Sequence, residues 1–262
     1  MSGQYPEAIL FSIGAVTVYW YGVILAVAII VGLFIAHKNF EKKQVSTDHL
    51  YNLLFLLIIF GLIGGRIGHI IGEWGYYAAS PSSIIKIWEG GLAIHGVLSA
   101  GLLVVYFYTR IKKLSFWLVV DSMIIALPLM QSIGRWGNYF NQELFGKPTE
   151  VAWGIPIALA NRPFEYAGYE FFHPLFFYES ILMLLVFAII YYLFRQDQFH
   201  FGHYTLLYFI LFGVIRFSLD FLRIDMFQIG PLLLTQWISI VIIALAIYIW
   251  RSPKFKKTLA KK

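Results

Sequence analysis

The sequence predicts an all-α polytopic membrane protein: seven transmembrane helices, with a small head on the outer side between helices four and five. Three observations carry that prediction. Of 262 residues, 60% are hydrophobic and only 13% charged, about half the charge density of a soluble domain. Seven separate apolar stretches have the roughly 17–25 residues that a helix needs to cross a hydrocarbon core. Lysine and arginine also divide very unequally between the loops of the two sides.

The expected spans are approximately Val16–Ala36, Leu50–Gly72, Leu92–Tyr108, Phe116–Ile133, Leu175–Phe194, Tyr204–Leu222 and Leu232–Trp250, within one transmembrane domain over 1–262. Met1 to Leu10 contain no Lys or Arg and carry Glu7. A cleaved signal peptide begins with a basic region, so the first run is expected to be a permanent span. One set of loops holds thirteen basic residues: Lys38, Lys42, Lys43, Arg110, Lys112, Lys113, Arg195, Arg251, Lys254, Lys256, Lys257, Lys261 and Lys262. The other holds five, Lys86, Arg135, Lys147, Arg162 and Arg223, while Arg66 and Arg216 lie within spans. By the positive-inside rule the N-terminus is outside and the C-terminus cytoplasmic. The net charge of +6 is therefore a topological signal that also suits anionic lipid, and nucleic acid is not an expected partner.

This orientation places 135–174 outside, as a head segment. Gly146, Pro148, Gly154, Pro156, Pro163 and Gly168 supply turns there. Trp136, Trp153, Phe164, Tyr166, Tyr169, Phe171 and Phe172 suit a membrane interface better than open water. The shorter outer segment Glu73–Gly90 carries Trp74, Tyr76, Tyr77 and Trp88 and reads the same way.

Charges inside a bilayer cost at least a few kcal/mol on insertion scales and rarely face lipid. Here they gather in one layer. Arg66 and His69 come late in an outward span, His95 early in an inward one, and Arg135 ends an outward one. Glu179 begins an inward span, and Arg216, Asp220 and Arg223 end an outward one. The segment Gly134-Arg135-Trp136-Gly137-Asn138-Tyr139-Phe140-Asn141-Gln142-Glu143 is the densest polar cluster. If helical, Arg135, Asn138 and Asn141 share roughly one face. Guanidinium presents a planar fork suited to phosphate, so Arg135 and Arg216 are expected to hold an anionic ligand, with Glu179 and Asp220 as counter-ions. A lipid-modifying enzyme fits this off-centre layer. A transporter or flippase of an anionic lipid or solute would place its polar groups at the midplane, between two related halves, and no such repeat is present. With no cysteine in the chain, any thiol in the chemistry comes with the substrate.

Gly134-Arg135-x-Gly137-Asn138-x-x-Asn141-x-Glu143 closely resembles the signature of the bacterial prolipoprotein diacylglyceryl transferase family. The flanking pieces are similar in the same order: Trp20-Tyr21-Gly22, Gly64-Gly65-Arg66-Ile67-Gly68, His95-Gly96, His173-Pro174 with Tyr178-Glu179, and Gly213, Arg216-Phe217, Asp220 and Arg223. The match runs from Tyr21 to Asp225. The resemblance implies a seven-helix enzyme of the bacterial inner membrane with a periplasmic head and an active site in the outer half of the bilayer. It implies that diacylglyceryl moves from phosphatidylglycerol to the lipobox cysteine of a prolipoprotein signal peptide, giving a thioether and glycerol phosphate. No metal or organic cofactor is expected.

On that resemblance His95, Arg135 and Arg216 are catalytic. Tyr21, Arg66, Asn138, Asn141, Glu143 and Arg223 bind substrate, and His173, Tyr178, Glu179 and Asp220 support them. Imidazole suits deprotonation of a thiol near neutral pH, which makes His95 the expected base. The sequence departs from the family pattern where Val97 replaces a second glycine, Phe212 a tyrosine, Asp220 a glutamate and Met226 a proline.

Overall fold

The computed structural model describes residues 5–14, 16–224 and 227–252. Asp225, Met226 and the lysines from Lys254 onward lie outside the described residues. Two strands, β1 (Ile9–Ile13) and β2 (Val16–Tyr19), form a hairpin that leads directly into helix α1 (Trp20–Lys42). Then come α2 (Asp48–Gly72), the short α3 (Trp74–Ala79), α4 (Ile94–Ile111), α5 (Phe116–Ile124) and α6 (Leu127–Phe140). The head segment contains β3 (Ile155–Pro156) paired with β4 (Phe171–Phe172). Helices α7 (Leu175–Arg195) and α8 (His203–Leu219) follow. A hairpin of β5 (Gln228–Ile229) and β6 (Leu232–Leu233) leads into α9 (Leu234–Arg251).

Among the described residues, seven helical segments are long and apolar enough to cross a membrane, with α5 and α6 together making one of them over Phe116–Phe140. Large apolar side chains such as Ile30, Phe34, Phe55, Ile71 and Leu102 stand exposed. A soluble monomer rarely leaves so much apolar surface in water, and a bilayer covers it.

The helix boundaries differ from the expected spans for local reasons. Val16–Tyr19 is a strand rather than the start of the first span. Val-Thr-Val-Tyr is a strand-favouring run, and Gly14, at φ +59, supplies the left-handed turn that lets it pair back. The fourth crossing breaks at Ile125-Ala126. Pro128, one residue inside α6, cannot donate to the carbonyl four residues back and its ring crowds it. α6 then continues past Ile133 to Phe140, so the polar signature is helical from Gly134 to Phe140, with Asn141 as the C-cap and Gln142 and Glu143 beyond the helix.

The chain forms two compact units, residues 37–122 and residues 1–36 with 123–262. In the first, α2 and α4 pack through glycine. A Cβ on Gly96 would run into the Gly64 carbonyl, and one on Gly68 would meet the Gly96 Cα at 3.1 Å. Ala93 N–H donates to the Gly65 carbonyl at 2.9 Å, an interhelix bond that so close an approach allows. In the second unit, α6 packs on α7, and α8 packs on both α7 and α9. Its core is Ile125, Met183, Val186, Ile190, Phe194, Tyr204 and Tyr208.

Candidate active site

In the larger unit, five charged side chains form a ladder. Ser132 and Ser180 fix α6 against α7: their hydroxyls lie 3.1 Å apart, and Ser180 donates to the Ser132 carbonyl at 2.8 Å. One turn on, Arg135 Nη2 meets Glu179 Oε1 at 2.5 Å. Glu179 Oε2 is 3.3 Å from Arg216 Nη1 on α8. Arg216 Nη2 is 3.4 Å from Asp220 Oδ1, and that oxygen is 3.6 Å from Arg223 Nη1. The Glu179 and Asp220 side chains are 4% and 0% exposed, against 23% for Arg135 and 15% for Arg216 and Arg223.

Three guanidiniums thus face two carboxylates, leaving one positive charge over. The ladder also lacks partners. Arg135 Nε is buried with no acceptor, and neither Asp220 oxygen makes a hydrogen bond despite its ion-pair distances. A buried unsatisfied polar group costs about 1–3 kcal/mol; the Arg135 Nε is a donor that an anion would satisfy, whereas the Asp220 oxygens call for donors. Burial, and next the charge of Arg216, hold the Arg223 guanidinium below its ordinary range, although a guanidinium stays protonated in proteins.

The signature around the ladder is braced by its own groups. Asn138 Nδ2 donates to Glu143 Oε1 at 2.7 Å, and Asn141 Nδ2 reaches the same oxygen at 3.4 Å. Gly137 is small because the Tyr21 ring lies on it; a Cβ at that position would meet the ring at 2.5 Å. The Tyr21 hydroxyl makes no hydrogen bond among the described residues. Beyond α6, the head returns to the ladder. Gly146 N–H donates to the His173 carbonyl and Lys147 N–H to the Leu222 carbonyl, both at 2.8 Å. A side chain at Gly146 would meet that Leu222 oxygen at 2.8 Å. Trp153 Nε1 donates to the Tyr178 hydroxyl at 2.7 Å, which lies 3.1 Å from His173 Nδ1. Together these contacts hold the loop beside Arg223.

These positions decide the family. A family model described as prolipoprotein diacylglyceryl transferase matches residues 8–251. The chain belongs to that family. Among its relatives, a phosphatidylglycerol–prolipoprotein diacylglyceryl transferase of Thermosynechococcus vestitus is 35% identical over 92% of this chain and 90% of its own. One of the same description from Parasynechococcus marenigrum is 40% identical over 87% of this chain and 84% of its own.

In this member of the prolipoprotein diacylglyceryl transferase family, Arg66 and His95 belong to the smaller unit. Arg66 Nε donates to Ile84 carbonyl at 2.8 Å, and Nη1 to those of Gly90 and Gly91 at 2.7 and 3.1 Å. Its Nη2 donates to Lys86 at 3.3 Å and to Ser83 more closely. Gly90 and Gly91, at φ +91 and +79, turn their carbonyls inward as only glycine does readily. All five guanidinium donors are therefore taken by main chain of the 83–91 loop. His69 Nδ1 lies 3.0 Å from the Tyr77 hydroxyl, and Arg66 stacks over the Tyr77 ring. His95 stands in the first turn of α4, exposed, without a partner among the described residues.

The departures from the family pattern are also accommodated. Val97 puts its methyls into the groove left by Gly61 and Gly65. Phe212 stacks on Tyr208, whose hydroxyl donates to Gln131 Oε1 at 3.1 Å. Asp220 is one methylene shorter than glutamate, which agrees with its long, poorly aligned contacts to Arg216 and Arg223. The seryl clamp and the role of Gly146 are not foreseen from sequence. Neither carries a distinguishing signal, since each depends on which residue the fold places opposite. Among the described residues, no group of three or more side chains could hold a metal ion.

Proposed function

We propose that the chain transfers the diacylglyceryl group of phosphatidylglycerol to the lipobox cysteine of a prolipoprotein. The observation that carries this reading is the ladder's composition: three arginines, two buried carboxylates and an orphaned Arg135 Nε. The names of its relatives agree. The cysteine sulfur attacks the glyceryl carbon that bears the phosphate. A carbon–sulfur bond forms, the carbon–oxygen bond breaks, and its electron pair leaves with glycerol phosphate. Negative charge grows on that leaving oxygen, where Arg135 and Arg216 stabilise it electrostatically. The thiol proton goes to His95, the base of this reading. Tyr21, Asn138 and Asn141 meet the lipid glycerol, while Glu143 orients the two asparagines. Arg223 adds positive charge beside the phosphate, and Arg66 positions its own loop.

The same reading places the chain in the bacterial inner membrane with its N-terminus outside and its C-terminus cytoplasmic. It places the ladder in the outer half of the bilayer and 135–174 as a periplasmic head. The test is the purified chain in nanodiscs containing phosphatidylglycerol, given a lipobox peptide. Mass spectrometry should find the diacylglyceryl thioether, with glycerol phosphate released in equal amount. Absence of both products would overturn the proposal.

A further inference from the structure

A cavity of about 630 Å3 opens in the larger unit beyond the end of α6. One wall is Tyr5–Ala8, and the other is Phe140 to Glu143 with Ala158 and Asn161. The first wall is fastened: Trp20 N–H donates to the Ala8 carbonyl at 3.0 Å, and the Trp20 ring stacks on Phe140 at 4.8 Å. Gln142 is part of the lining. It is 7% exposed and sits at φ +51, a left-handed conformation uncommon outside glycine. Its Oε1 accepts from Ala158 N–H at 2.7 Å and from Asn161 Nδ2 at 3.2 Å. Its Nε2 group has no partner among the described residues. Its side-chain carbonyl is fixed by these two bonds while its N–H2 stays open to solvent, a donor free to meet an incoming carbonyl.

The rest of the lining states what else the ligand carries. Glu7 and Glu143 contribute two carboxylates, Asn141 and Asn161 contribute amides, and among the described residues no basic side chain lines the cavity. Such a field repels phosphate or an acidic side chain and attracts N–H groups, hydroxyls and cations. The cavity is therefore not a second headgroup site. Position narrows the ligand further. From Arg135 to Asn141, α6 rises about 9 Å, which an extended chain covers in about three residues.

We propose that this cavity receives the polypeptide immediately following the modified cysteine and selects against acidic side chains there. Gln142 Nε2 donates to a backbone carbonyl of that segment, and Glu7 and Glu143 set the charge preference. The proposal rests on the transferase reading, which supplies a peptide whose cysteine reaches Arg135.

The test uses the full chain in phosphatidylglycerol nanodiscs and three peptides with one lipobox, carrying Lys, Gln or Asp at the second to fourth positions after the cysteine. The expected kcat/KM order is Lys above Gln above Asp. Exposed carboxylates such as Glu7 and Glu143 give a ratio of about fivefold between the extremes, shrinking at high salt. Glu7→Gln should narrow that ratio while leaving turnover of the Gln peptide unchanged. Equal turnover of all three peptides, or a ratio untouched by Glu7→Gln, overturns the subsite and leaves the transferase reading intact. No thioether from any peptide overturns both.

Discussion

Arg135 and Glu179 meet at 2.5 Å across the α6–α7 interface, and Glu179 uses its other oxygen on Arg216 at 3.3 Å. One buried carboxylate thus fixes two arginines from different helices. Removing it leaves them facing each other inside the protein. Glu179→Ala should destabilise the fold by about 3–5 kcal/mol, the usual cost of stripping one partner from a buried pair. The measurement is the unfolding midpoint in detergent; an unchanged midpoint would show the ladder to be energetically idle.

Arg135→Ala and Arg216→Ala should each lower transfer by about 10²–10³-fold, the range for losing a group that stabilises developing charge. Membrane orientation should stay as in the parent, because topology follows the loop charges. Lysine should not restore the rate, since a point charge cannot replace a planar fork on two acceptors. Labelling of a lipobox peptide at the parent rate by either alanine variant would remove that arginine from the chemistry.

Arg66→Lys keeps the charge but cannot reach five carbonyls spread over Ser83 to Gly91. The expected result is faster proteolysis within 81–91 and a lower unfolding midpoint. If lysine were tolerated while the KM for phosphatidylglycerol rose, Arg66 would have to be read as a lipid ligand after all.

Two glycine substitutions separate packing from mere composition. Gly96→Ala puts a methyl against the Gly64 carbonyl, whereas Gly72→Ala meets nothing within 4 Å. The first should cost about 1–3 kcal/mol and displace the start of α4, where His95 sits; the second should be close to neutral. Equal melting temperatures would mean that α2 and α4 can separate without penalty.

His95→Gln should slow transfer most at neutral pH. A free cysteine ionises near pH 8.5, so above that the substrate thiol needs no base and the deficit should shrink. A rate loss that stays constant from about pH 7 to about pH 10, on either side of that ionisation, would assign His95 to binding instead.

Much of the architecture was legible from composition because a bilayer allows few choices: the seven apolar runs could be read without tertiary knowledge. What could not be read was pairing. Arg66 and Arg135 look alike as arginines near span ends, yet one is fully occupied by carbonyls and the other keeps an open Nε. The distinction comes from Gly90 and Gly91, which lie more than twenty residues away from Arg66 in sequence and bend the loop back to it. The helix ends failed for a similar reason. Val16–Tyr19 is as apolar as the helix it precedes, and only its partner β1 makes it a strand.

The shared position of Glu179 has a consequence for how tightly a lipid can be held. On the proposed reading, a phosphate arriving at Arg135 or Arg216 competes with a carboxylate already there, while the open Arg135 Nε is free of that competition. The site then behaves like an ion exchanger loaded with its own resident anion. Affinity is then the difference between two anions rather than the full pull of the arginines. That keeps ground-state binding modest and leaves the stronger attraction for the leaving oxygen, whose charge grows only as the bond breaks. On that reading Glu179 regains both arginines when glycerol phosphate departs, and the exchanger regenerates without help.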